Sequence, residues 1–191
     1  MKPQIIQKHI IPSILWFVFL FLAARILDQI MHDSGYVWVG RYLGIPGTIF
    51  IVLSFIYSLR KKKVFTAGKL KYHLKFHEWM AWIGSLMILV HAGIHLHAFY
   101  PWMALASMLI VIISGFVGGY LQKIAQSRLA ESRDKLFQAG MDENMIDETL
   151  YIDSLATDFM KKWRSVHLTI ASFFTSLSLF HIISVAWYMV K

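Results

Sequence analysis

Five runs of apolar residues, near 11–30, 43–59, 76–97, 103–121 and 165–189, dominate this chain of 191 residues. About 20 such residues let an α-helix cross ~30 Å of hydrocarbon while satisfying its own backbone groups. The expected fold is therefore an all-α integral membrane protein: a single membrane domain over 1–191 with five transmembrane helices. Composition agrees, since 57% of the residues are apolar and only 16% charged, whereas a soluble domain is about a quarter charged. The first run follows Lys2 and Lys8 but is long and lacks a small-residue cleavage site, so it reads as an anchor and not a removed signal peptide. The second opens at Ile45-Pro46, where proline suits a first helical turn. The stretch "AFYPW" between the third and fourth runs is short enough to make them antiparallel neighbours.

The net charge of +8 is clustered between the apolar runs. Residues 60–75 carry seven Lys and Arg and residues 123–164 carry seven more, while 31–42 and 98–102 hold only Arg41. That is the pattern of membrane topology and not of nucleic-acid binding. With five crossings it sets the amino terminus and both basic regions in the cytoplasm and the carboxyl terminus outside, the expected location being a bacterial inner membrane. Residues 122–163 read as a cytoplasmic helical connector, with Ile124, Leu129 and Leu136 at helical spacing and a stop at Gly140. It either lies against the membrane and bundle or docks a soluble partner. The absence of cysteine excludes disulfides, thiolate-held iron–sulfur clusters, CxxCH haem attachment and Cys-based zinc sites.

The histidines then need explaining, because imidazole in lipid is costly without a partner. His77 and His91 lie fourteen residues apart on the third run, and His167 and His181 repeat the interval on the fifth. Fourteen residues return to within about 40° of the same helix face and rise about 21 Å. The third and fifth runs cross in the same direction, so the four side chains form two level pairs, His77 with His167 and His91 with His181. Two imidazoles opposed across a bundle are what bis-histidine ligation of a haem iron requires.

The doubled His-x13-His interval, on the second and fourth helices of a four-helix core made by runs two to five, resembles the dihaem cytochrome b arrangement of the ferric-reductase-like transmembrane domain, shared with the NADPH oxidases. A similar interval occurs in the cytochrome b of quinol-oxidising complexes. The resemblance covers about residues 43–190. It implies two b-type haems with His77, His91, His167 and His181 as axial ligands, and electron transfer from one haem to the other across the bilayer. Those families usually add a sixth helix and a flavin- and nicotinamide-binding domain. This sequence has no GxGxxG after a strand, so the expected donor is a redox partner protein or subunit, or a membrane quinol. Whether the chain is itself an enzyme stays open.

Other residues have two readings each. Arg25 and Asp28 are spaced for a mutual salt bridge, or Arg25 faces a propionate of the outer haem. His95 could replace His91 but breaks the matched interval, and His97 points the other way; near these two a quinone site or an outer metal site is open. Gly84, halfway between His77 and His91, and "SGFVGG" at 114–119 allow close helix contact or room for a flat cofactor. Phe173 and Phe174 line the gap between the two levels or belong to the core. Two other functions remain: a histidine-lined divalent-metal transporter using the HxxxHxH pattern at 91–97, and a membrane anchor for a soluble oxidoreductase.

Overall fold

A computed structural model describes residues 11–94, 99–142, 145 and 155–189. Among these residues the regular elements are all helices: α1 (Ile11–Asp33), α2 (Val37–Tyr42), α3 (Gly44–Ser54), α4 (Ile56–Lys61), α5 (Leu70–Ile94), α6 (Phe99–Gln138) and α7 (Leu155–Met189). Four stretches are long and apolar enough to cross a membrane: Ile11–Asp33, Val37–Lys61, Phe99–Leu121 and Lys162–Tyr188. Their outward faces carry large apolar side chains, among them Leu15, Trp16, Ile49, Ile113 and Ile183. Such surfaces suit lipid and not water. The chain is an all-helical integral membrane protein.

The expected third crossing, 76–97, is helical from Leu70 to Ile94; its last three residues lie outside the described ones. It is not among the four most apolar stretches, because Lys71, Lys75, Glu78 and three histidines interrupt it. Its place in the fold accounts for this. Helices α1, α2, α3 and α4 all pack on α5, and Ser85, Leu89 and Val90 on it are buried. A helix enclosed by its neighbours can direct polar groups toward protein partners.

The second crossing is built in three pieces. Pro46, in the first turn of α3, has no N–H to return to the Tyr42 carbonyl, and the chain breaks at Leu43. A second break falls at Phe55, where the preceding Ser54 turns its hydroxyl back onto the Ile51 carbonyl at 2.6 Å. Both junction residues keep helical dihedrals, so the pieces follow one path. α3 runs antiparallel to α5 at close range: a Cβ on Gly84 would stand 2.7 Å from the Gly47 carbonyl oxygen. Gly84 thus serves close helix contact.

Among the described residues of the connector, most continue its neighbours, since α6 extends forty residues to Gln138 and α7 begins at Leu155. Gly140 is the expected stop. It has φ +79, Gly140 N–H reaches the Phe137 carbonyl and Met141 N–H reaches that of Leu136, which is a Schellman cap. Gly35 closes α1 in the same way and Lys63, at φ 59, closes α4. Gly140→Ala is expected to cost about 1 kcal/mol, read as a lowered thermal midpoint, because alanine resists left-handed dihedrals.

The described chain clusters into two compact units. One comprises Met1–Met108 with Phe174–Lys191 and the other Leu109–Phe173. In the first, Leu20, Val90, Met108 and Phe174 are buried.

Candidate functional site

Three of the four interval histidines belong to the first unit and His167 to the second. In the first, the rings of His91 and His181 come together with centroids 6.3 Å apart and planes at 57°. The His91 ring lies over Gly44: a Cβ there would stand 2.9 Å from its Cδ2. The first residue of α3 must be this small for the imidazole to occupy its place. The main chain at Gly40 and Arg41, in the last turn of α2, lies near the same ring.

His77 sits one level away on α5, beside the other break. Its Nδ1 lies 2.9 Å from the Ser54 carbonyl oxygen. A carbonyl only accepts, so Nδ1 carries the proton and donates, which in the neutral ring leaves the lone pair on Nε2. Ser54 is the last residue of α3, where carbonyls lack intrahelical partners. Tyr57 covers the ring at 5.6 Å, and Lys61 lies over Tyr57 at 5.8 Å. Each interruption of the Val37–Lys61 helix thus lies beside one histidine of α5: Gly44 packs on His91, and the Ser54 carbonyl meets His77.

In the second unit, His167 Nδ1 is 3.1 Å from the Ser114 hydroxyl. Trp163, one turn earlier on α7, stacks on the His167 ring at 5.2 Å and 28°. The indole Nε1–H donates to the Ser114 carbonyl at 3.0 Å. Gly118 makes room for this arrangement, because any Cβ there would overlap the Trp163 ring. Within "SGFVGG", then, Ser114 and Gly118 have defined tasks around His167, and nothing lies within 4 Å of a Cβ on Gly119.

Arg25 donates to Asp28 at 3.2 Å, with the Arg25 side chain 76% exposed and that of Asp28 only 7%. Asp28 also approaches His32 Nδ1 at 3.4 Å and packs on Gly93, two residues after His91. The Arg25–Asp28 pair is thus a salt bridge, held near the His91 level of α5. His95 and His97, with any quinone or metal site near them, lie outside the described residues. Phe174 is buried, and Phe173 is half exposed. Among the described residues, no three His, Cys, Asp or Glu groups converge on a common point as a metal-ion site.

Sequence reasoning missed Ser54, Ser114 and Trp163. Their partners are 23, 53 and 49 residues away, beyond any local pattern. Comparison with protein families, with curated proteins and with solved structures finds no match for this chain.

Proposed function

We propose that the chain is a membrane cytochrome b subunit that holds two b-type haems among its helices and conducts electrons across the bilayer. His91 and His181 would hold the haem of the outer site; His77 and His167, matched by interval in the sequence, would serve the inner one. When bound, each haem supplies reversible one-electron chemistry at its iron.

The observation that carries the reading is the adjacency of His91 and His181 at the ends of two equal intervals. Two imidazoles that would share one metal ion must bring their rings close together. The 6.3 Å between these rings fits. Ordinary ring contacts share this distance, so the bond at His77 adds independent weight. A ligating imidazole usually gives its second N–H to a carbonyl, which fixes the tautomer and aims the free nitrogen; the Ser54 carbonyl does this for His77. Assignment of His77 and His167 to one site rests on the sequence interval.

On this reading α5 is a crossing too, the third of five in chain order, and runs two to five supply the haem core. The basic segments 60–75 and 123–164 mark the cytoplasmic face of a bacterial inner membrane. Arg25 has guanidinium N–H groups beyond its one bond to Asp28 with which to meet an outer propionate. Electrons arrive from a partner protein or subunit, or from a quinol. The test is a reduced-minus-oxidised spectrum with haem counting on the purified chain. Two haems per chain are expected; a colourless protein without a Soret band refutes the proposal.

A further inference from the structure

The segment between α4 and α5 folds into a basic loop against an apolar pocket. Residues 60–75 hold Arg60, Lys61, Lys62, Lys63, Lys69, Lys71 and Lys75 and no carboxylate. Arg60 folds the loop: its Nε and Nη2 donate to the carbonyls of Ala67 and Gly68 at 3.1 and 3.0 Å. The returning strand of loop then covers His73. Gly68 lies so near that a Cβ on it would stand 2.8 Å from His73 Cε1, Phe65 packs on the same ring at 5.6 Å, and His73 Nδ1 lies 3.2 Å from the Lys69 carbonyl. His73 is also one wall of an open pocket of about 380 Å³, completed by Ile56, Tyr72 and Phe76. That volume lies within the range of ligand sites, about 300–1,000 Å³.

A hydrophobic recess at the end of a membrane helix, beside a carboxylate-free loop rich in lysine, matches a ligand that is greasy at one end and anionic at the other. We infer that this is a binding site for one anionic phospholipid, with its acyl chain along Ile56 and Phe76 and its phosphate among Lys62, Lys63 and Lys69. Topology accounts for basic residues beside a membrane helix. It does not require the Arg60 bonds that draw Ala67 and Gly68 back against His73, a wall of the apolar pocket. The aromatic rims Tyr72 and Phe76, 68% and 37% exposed, suit the headgroup boundary, where amphipathic rings settle. Juxtamembrane lysines attract anionic headgroups, and the attraction weakens with salt. The inference needs only the membrane character of the chain, so it fails separately from the haem reading.

The test is native mass spectrometry of the full detergent-purified chain titrated with dioleoyl-phosphatidylglycerol or dioleoyl-phosphatidylcholine. Wild type is expected to retain one phosphatidylglycerol about tenfold more tightly than phosphatidylcholine, with the difference shrinking as salt is added. Replacing Lys62, Lys63 and Lys69 with glutamine should bring the two lipids level, and Ile56→Trp, which fills the pocket, should weaken phosphatidylglycerol about fivefold. Equal retention of both lipids by wild type overturns the inference without any variant. So does a preference that survives the lysine replacements, or displacement of the lipid by glycerol phosphate, which would mean a phosphate site with no place for an acyl chain.

Discussion

His91→Ala and His181→Ala are each expected to lower the haem content from two per chain to one, roughly halving the Soret absorbance per protein. On the proposed ligation each ring would supply one bond to the same iron, so either loss would open the site. The double replacement should then be no worse than either single one, because residues that act as a unit are not additive. Haem extraction and quantitation on the three variants measures this. If both single variants keep two haems, the assignment of these residues fails, whatever the wild-type colour. His77→Ala should leave the His91/His181 site loaded, so the two classes of variant should lose different spectral components.

Gly84→Val is expected to lower stability by about 3 kcal/mol, a fall in Tm of roughly 10 °C. The added carbon would meet the Gly47 carbonyl oxygen at 2.7 Å and Ile51 Cγ1 at 2.9 Å. The first of these is backbone and cannot swing away, so α3 must move off α5. That displacement would carry Ser54 away from His77 and Gly44 away from His91, and loss of bound cofactor should accompany the loss of stability. Gly119→Ala is the control. Nothing lies within 4 Å of its Cβ, and alanine favours the helix by about 1 kcal/mol, so this change should leave Tm level or raise it. Thermal unfolding of the two variants side by side separates local crowding from a general cost of altering membrane glycines.

Legibility in the sequence followed the range of the interactions. The apolar crossings can be read locally, because hydropathy over about 20 residues is a property of one segment, and Gly140 marks a helix end because its dihedral is its own. Pro46 announces the first turn of α3 for the same reason. Equal intervals on two helices pair His91 with His181 in the sequence, and their rings do lie together; the matching pair of His77 with His167 is read from the interval alone. The extent of α5 toward Leu70 is hidden, since Lys71 and Lys75 interrupt hydropathy without interrupting helix. The Phe55 break carries no proline or glycine signal, and the glycine contact of α3 with α5 depends on two segments meeting at one register. The seat of Trp163 on Gly118 joins residues 45 positions apart, for which the sequence offers only a glycine and a tryptophan.

The acceptor that fixes the His77 tautomer is a peptide carbonyl, at a place where the helix path is interrupted. Alanine scanning is blind to such a group: Ser54→Ala deletes a hydroxyl that faces Ile51 and leaves the oxygen that holds the imidazole. Only an edit to the main chain reaches it, such as an ester in place of the Phe55 amide, which weakens the preceding oxygen as an acceptor. Position 54, buried at 4% exposure, can therefore exchange one small residue for another while its role stays constant, and tolerance to such a change would say nothing against its importance.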